Sequence, residues 1–307
     1  MKIVIMGTGG VGGYFGARLA NAGHDVAFIA RGKHLEAIKK NGLKILSELG
    51  DMIIHPAKAS DKPSDFGIAD VVLFCVKSFD TESSSYLIKP VVGPETIVIP
   101  FLNGLGHIEI MQKVLGVNNV IGGVAAISAL ISEPGVIRHN SAMQMLKFGA
   151  FDNINTPKIL EFKNACEKSG INNYIPDNIE SELWQKVIMI CVMAGANCLT
   201  RLPLGECLSN PATRNFMKKL AEEALSVAIA ENIVLPDNQV ELTMKLLDSL
   251  PPPMKASILP ALENGEKLES SALNGAIDKL GVKHGIDTYM HKAVYAALSP
   301  HENGSIK

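Results

Sequence analysis

The chain has almost no charge bias. Its 29 lysines and arginines face 31 aspartates and glutamates over 307 residues, which argues against a general nucleic-acid or anionic-membrane surface and toward small-molecule partners. Cysteine is scarce too: the five, Cys75, Cys166, Cys191, Cys198 and Cys207, are odd in number, form no C-x-x-C pair and mostly lie in apolar surroundings. That favours reduced, buried thiols over disulfides or zinc ligands. The eight histidines form no H-E-x-x-H or comparable cluster, so no metal site is expected. The apolar stretch at 187–196 is only ten residues long, short of the roughly 20 needed to cross a bilayer. No signal peptide precedes the strand pattern that starts at residue 2, and a cytoplasmic protein with no membrane partner is expected.

What is present begins at once. Residues 2–6 are a short apolar run suited to a buried parallel strand, and Gly7-Thr8-Gly9-Gly10-Val11-Gly12 follows directly as G-x-G-x-x-G. Small and apolar residues at helical spacing run to Asn21, Gly23 suits a helix end, and a second strand is expected at 25–30. A glycine turn between strand and helix lets a pyrophosphate approach the backbone closely, while the free N–H groups of the helix start carry partial positive charge toward it. The expected ligand is a dinucleotide. At the end of the second strand a carboxylate would accept a hydrogen bond from a ribose 2′-OH and repel a 2′-phosphate. Here that end reads Ile29-Ala30-Arg31-Gly32-Lys33-His34, with no acid, and Arg31 can fork onto a phosphate. The reading favours NADP(H) over NAD(H).

A helix is expected at 33–40, extended runs at 43–46 and 52–56, and further buried strands at 69–76 and 95–101. In an open parallel sheet ligands bind beyond the carboxyl ends of the strands, so the tips Lys77-Ser78 and Asn103-Gly104 are positional candidates for the cofactor crevice. Residues 120–149, glycine-rich and β-branched with a Glu133-Pro134-Gly135 turn, are expected to form antiparallel strands that complete the sheet. A helix at 157–168 and a strand near Tyr174 close this part. Beyond Asp177, amphipathic helical patterns run to Ala297, broken at Leu202-Pro203, Leu235-Pro236 and 251–253, and a polar tail from Pro300 is expected to fray. The expected fold is an α/β Rossmann-type N-terminal domain over residues 1–177 followed by an all-α C-terminal domain over 178–307.

Lys186 stands out on the first of these helices, amid Val187-Ile188-Met189-Ile190-Cys191-Val192-Met193-Ala194. Asn197 lies eleven residues on, about three turns, which brings both to one side of an unbroken helix. Two accounts stay open: an exposed ion pair with Glu182, four residues earlier, or a buried ammonium that needs a partner.

Taken together, the glycine turn with Arg31, Val76-Lys77-Ser78, Leu102-Asn103-Gly104, Leu183-Trp184-Gln185-Lys186, Met254-Lys255-Ala256-Ser257 and Leu268-Glu269-Ser270-Ser271-Ala272-Leu273-Asn274-Gly275 resemble the ketopantoate reductase (2-dehydropantoate 2-reductase) family, in its order and over nearly the whole chain. The resemblance implies reduction of 2-dehydropantoate to pantoate by NADPH, a step toward pantothenate and coenzyme A. It assigns the Gly7, Gly9 and Gly12 turn, with Thr8, Gly10 and Val11, to the pyrophosphate, Arg31 to the 2′-phosphate, and Lys77 and Asn103 to the cofactor crevice. It makes Lys186 the catalytic lysine, Glu269 an active-site carboxylate, and Ser257 and Asn103 substrate ligands. An ordinary lysine pKa of about 10.4 would keep Lys186 charged at neutral pH, with Glu269 holding it in place.

Three positions depart from the family pattern. Where the family commonly places asparagines one and two turns after its lysine, this chain has Ile190 and Ala194, leaving Asn197 as a substitute for the second; Ala261 replaces an aspartate commonly found four residues after the serine. A substrate pocket less polar than the family's is expected. A paralogous reductase of a more apolar 2-oxo acid, another NADP-dependent dehydrogenase such as a β-hydroxy-acid or opine type, and a non-catalytic NADPH sensor stay open as alternatives, as does a homodimer.

Overall fold

The computed structural model describes residues 1–305. The chain divides into two compact units, one formed by residues 1–102 and 107–179, the other by 103–106 and 180 onward.

In the first unit the elements are β1 (Lys2–Met6), α1 (Gly10–Asn21), β2 (Asp25–Ile29), α2 (Gly32–Asn41), β3 (Leu43–Ser47), β4 (Met52–Ile54), β5 (Lys58–Ser60), β6 (Val71–Phe74), α3 (Thr81–Ile88), β7 (Ile97–Pro100), α4 (His107–Leu115), β8 (Gly122–Glu133), β9 (Val136–Gly149), α5 (Pro157–Lys168) and β10 (Asn172–Tyr174). β5, β2, β1, β6 and β7 lie in that order in one sheet, every neighbouring pair parallel. Ile3, Val4 and Ile5 of β1 and Val71 to Phe74 of β6 have no exposed surface. That is why these strands read as unbroken apolar runs and not as alternation.

The segment 120–149 departs from the expectation. It does form an antiparallel hairpin, β8 with β9, but in a second sheet of order β10-β9-β3-β4, with β8 on β9. β9 runs parallel to both β3 and β10, and an isolated Val98–Val120 bridge precedes β8. The reason lies in α1. A Cβ on Gly12 or Gly16 would meet Ile5 of the first sheet at 2.8 or 2.7 Å, whereas one on Gly10 would meet the Ala129 carbonyl oxygen of β8 at 2.1 Å and one on Gly13 the Ile137 side chain of β9 at 2.7 Å. The helix is thus packed on both sides, and only the absence of side chains lets two sheets approach it so closely.

The second unit is helical: α6 (Ile179–Thr200), α7 (Leu204–Ser209), α8 (Pro211–Ala230), α9 (Gln239–Ser249), α10 (Ile258–Glu263), α11 (Asn274–His284) and α12 (Tyr289–Leu298). The breaks fall at the expected prolines. α6 has 22 residues and is long and apolar enough to pass as a membrane span by length and composition alone, which the ten-residue apolar stretch did not suggest. Val187, Ile188, Cys191, Val192, Ala194 and Ala196 are instead buried to within 2% in the core of this unit, among residues of α7 to α12. α8 opens on Asn210, whose side-chain oxygen accepts hydrogen bonds from the backbone N–H groups of Ala212 and Thr213, with Pro211 in the first turn.

The tail is not frayed where it is described. The Leu268 N–H donates to the Glu302 carbonyl at 3.0 Å, the Ser271 N–H donates to the Glu302 carboxylate at 3.1 Å, and the Ser305 N–H donates to the Gly265 carbonyl at 2.9 Å. Polar composition suggested solvent; here the polar groups are spent on the loop before α11. Residues 306 and 307 of that tail lie outside the described residues.

Candidate active site

The glycine turn divides its work among its residues. Gly7 has φ of +94°, a conformation open to glycine, and a Cβ there would meet the Cys75 carbonyl group at 2.9 Å. A Cβ on Gly12 would strike the Gly7 carbonyl oxygen at 2.3 Å, whereas one on Gly9 would meet nothing within 4 Å. Gly9 is therefore the place where the backbone is open to a ligand. The first helical hydrogen bond of α1 runs from the Gly13 N–H to the Gly9 carbonyl at 2.7 Å, so the N–H groups of Gly10, Val11 and Gly12 precede the helical ladder and belong to the positive end of the helix. These features fit a pyrophosphate.

Thr8 and Gly10 are corrected in part. Thr8 is buried, and both its backbone N–H and its hydroxyl donate to the Ile29 carbonyl, at 3.0 and 2.9 Å. It clamps the turn to the end of β2 and has no N–H left for a phosphate. The bare Cα of Gly10 is required by β8 and not by a ligand.

The concavity beside the turn is lined by Gly7, Gly9, Ala30, Arg31, His34 and Val76, among others. Arg31 is largely exposed at the start of α2, as a phosphate ligand requires, but its guanidinium donates to the Asp80 carboxylate at 3.0 Å. The end of β2 and the residues that follow it, 29–34, contain no acid; the fold supplies one from beyond β6. Lys77 is exposed after β6, beside the single helical turn that leads to α3. Nothing in the local sequence marks His34 as part of the site. Its Nε2–H donates to the Thr8 carbonyl at 2.8 Å and its Nδ1 accepts the Gly135 N–H at 3.0 Å, which fixes a neutral tautomer. Burial pushes its pKa down, opposed by the Thr8 carbonyl. The histidine ties the glycine turn to the β8–β9 turn, a role that pairing across 101 residues hides from local reading.

The remaining candidates lie in the second unit. Lys186 is half-buried and not an exposed ion pair: loss of solvent pushes the ammonium down to about 8, partly offset by the carboxylate of Glu269. The expectation of an ordinary lysine pKa is corrected accordingly, because α6 is apolar on nearly all sides. Glu269 is itself buried and opens a short turn in which the Ala272 N–H donates to its carbonyl at 3.1 Å. Residues 103–106 dock on that turn. The Leu105 N–H donates to the Ala272 carbonyl at 2.9 Å, and Gly104, with φ of +89°, brings its Cα so close that a Cβ would lie 2.1 Å from that oxygen. Asn103, half-buried, is thereby carried by the unit that holds Lys186 and Glu269.

Asn197 is corrected. It is fully buried, its side-chain oxygen accepts the Ala256 N–H at 2.8 Å and its nitrogen donates to the Leu202 carbonyl at 2.9 Å. Both ends are in use, so it fixes the segment before Ser257 and is not an open substrate ligand. Ser257 itself is exposed at the start of α10 and makes no capping bond. Ala194 is buried in the core, whereas Ile190 is half-buried. The cysteines are free thiols, and burial pushes those of Cys75, Cys166, Cys191 and Cys198 up, away from nucleophilic use. Among the described residues no group of three or more His, Cys, Asp or Glu could hold a metal ion.

The chain is similar to known proteins over nearly its whole length. Residues 3–153 match the model of the ketopantoate reductase PanE/ApbA family and residues 178–302 that of its C-terminal domain. The uncharacterized oxidoreductase YkpB of Bacillus subtilis is 32% identical over 98% of this chain and 99% of its own. The 2-dehydropantoate 2-reductase of Mesorhizobium japonicum is 28% identical over 92% of this chain and 91% of its own. The crystal structure of 2-dehydropantoate 2-reductase from Geobacter metallireducens superposes with a TM-score of 0.91 at 28% identity, covering 98% of this chain and 99% of that one. The chain belongs to the ketopantoate reductase family of oxidoreductases.

Proposed function

We propose that this family member reduces a 2-oxo acid to the corresponding 2-hydroxy acid with NADPH, 2-dehydropantoate to pantoate foremost, and that Lys186 is its proton donor. When bound, the nicotinamide supplies the hydride. The open backbone at Gly9 and the first N–H groups of α1 suit the pyrophosphate, Arg31 suits a 2′-phosphate, and Lys77 and Asn103 are proposed to line the cofactor site.

The observation that carries the reading is the state of Lys186. An ammonium whose pKa is pushed down to about 8 is still mostly charged at neutral pH, so it can donate a hydrogen bond to a carbonyl oxygen. It is also a stronger acid than a solvated lysine, and so better able to give its proton to the alkoxide that forms on reduction. Glu269 supplies the countercharge that keeps it protonated. A sensor that only bound the dinucleotide would have no use for an ammonium held at such cost. Asn103 and Ser257 are proposed to hold the substrate.

A second reading, reduction of a more apolar 2-oxo acid, is favoured by one feature: Ile190, half-buried one turn after Lys186, offers no hydrogen bond. Initial rates of NADPH oxidation over a panel of 2-oxo acids that includes ketopantoate separate the two. The first reading expects the highest kcat/KM for ketopantoate. A higher value for an acid without the 4-hydroxyl group selects the second, and no turnover on any member contradicts both.

A further inference from the structure

The Arg31–Asp80 pair does more than decorate the surface. Arg31 lines the concavity at the glycine turn, and the guanidinium that would meet a 2′-phosphate already donates to Asp80 at 3.0 Å. The two side chains are unequally placed. Arg31 is 75% exposed, whereas Asp80 is 31% exposed. Asp80 also sits in a fixed frame: its own N–H donates to the Lys77 carbonyl at 2.9 Å, and the next residue, Thr81, is buried and donates through its hydroxyl to the Ser78 carbonyl at 2.7 Å. The anchored partner is the acid and the more exposed one is the arginine.

We propose that Asp80 is a specificity-determining residue for the dinucleotide: it competes with the 2′-phosphate for Arg31 and so narrows the preference for NADP(H) over NAD(H). The proposal rests on the NADP(H) reading given above. Two effects act in the same direction. A phosphate that forks onto the guanidinium must displace the carboxylate or share the donors with it, and a phosphate carrying up to two negative charges is repelled by a carboxylate that stays near. A ribose with a free 2′-OH meets neither cost. The carboxylate usually found at the end of the second strand of such a sheet is thus replaced by one that arrives from beyond β6 and acts through an arginine.

The magnitude follows from the exposure of the pair. Exposed ion pairs are worth little, and releasing Arg31 from one should strengthen binding of a 2′-phosphate about three- to fivefold. The probes are 2′,5′-ADP, which carries the 2′-phosphate without a nicotinamide, and 5′-AMP, which lacks it. Calorimetric titration of wild type, Asp80→Asn, Arg31→Ala and the double variant gives eight dissociation constants. The expected result is a gain of that size for 2′,5′-ADP in Asp80→Asn, a change under about twofold for 5′-AMP, and loss of most of the gain when Arg31 is already alanine. A weaker 2′,5′-ADP complex in Asp80→Asn means that the acid positions the arginine for phosphate, and overturns the proposal. So does a gain that persists undiminished in the Arg31→Ala background. If wild type itself binds 2′,5′-ADP no better than 5′-AMP, the NADP(H) reading fails and this proposal fails with it, a pattern distinct from either of the others.

Discussion

The two units solve different problems with different parts of the chain. The first offers its proposed ligand mainly backbone: Gly9 is open, α1 presents its first N–H groups, and the residues around them, Thr8, Gly12 and His34, are occupied in holding the turn's shape. The second works with side chains. Lys186 rises from a helix buried in apolar neighbours, with Glu269 as its countercharge, and Asn197 holds the backbone that leads to Ser257. A backbone site needs room and rigidity, so its signature is glycine. A site made of a single half-buried cation needs a low-dielectric wall, so its signature is the apolar sequence around it.

The contrast is broken most directly at Lys186. Lys186→Ala should lower kcat by on the order of 10² or more while leaving the dissociation constant of NADPH nearly unchanged, because the residue is proposed to act on the substrate oxygen. A variant that keeps most of its turnover, or loses cofactor affinity in proportion, would place Lys186 outside the chemistry.

Within the first unit the glycines should separate by role. Gly12→Ala drives a Cβ into the Gly7 carbonyl oxygen at 2.3 Å, an overpacking expected to cost about 1–3 kcal/mol and visible as a lower Tm. Gly9→Ala meets no protein atom within 4 Å; its Tm should stay near wild type while dinucleotide affinity falls about tenfold, since the added methyl group lies where the pyrophosphate is proposed to approach. Equal thermal losses in both would remove the distinction between packing and binding glycines.

Asn197→Ala sharpens the comparison from the other side. It leaves the buried Ala256 N–H without a partner and the Leu202 carbonyl with only the weak Cys207 thiol donor, for about 1–3 kcal/mol of stability. If the residue positions Ser257, KM for the 2-oxo acid rises as well, and Asn197→Asp, which keeps the acceptor for Ala256, recovers more of KM than of Tm. Stability lost with KM unchanged would make Asn197 structural only.

The smallest effect concerns substrate choice. With Ile190 apolar, discrimination between ketopantoate and 2-oxo-3,3-dimethylbutanoate should stay within roughly 10² in kcat/KM, and Ile190→Asn should widen it. A wild-type preference of 10⁴ or more would show that other groups already bind the hydroxyl.

How much of this could be read from sequence also differs between the units. The glycine turn, the flanking strands and α5 could be read because each is set by neighbours in the chain: one residue needs a positive φ, one face needs apolar side chains, and Thr156 followed by Pro157 starts a helix. What escaped was set by distant partners. The segment 120–149 announces strands but not that β9 will pair with β3 and β10 in a separate sheet. Arg31 announces a phosphate ligand but not the acid 49 residues away. Asn197 has the right spacing from Lys186 to look like a ligand, and only the fold reveals that Ala256 and Leu202 take both ends of its amide. The tail composition says solvent, while Glu302 finds Leu268 and Ser271. Lys186 lies between these cases: its oddity could be read, its pKa could not, because that depends on burial and on Glu269, 83 residues further on.

The central claim is that Lys186 works as an acid made stronger by burial and held in its charged form by Glu269. Its most direct test is the pH dependence of kcat for 2-oxo acid reduction at saturating NADPH, in wild type and in Glu269→Gln. A lysine whose pKa is lowered loses its proton as pH rises through the lowered value, so wild-type turnover should fall on an alkaline limb near pH 8. Removing the carboxylate removes the one interaction that raises that pKa, so the limb in Glu269→Gln should move to lower pH. A wild-type rate that stays level to about pH 10, as an ordinary lysine would give, or a limb that Glu269→Gln moves upward, would contradict the account.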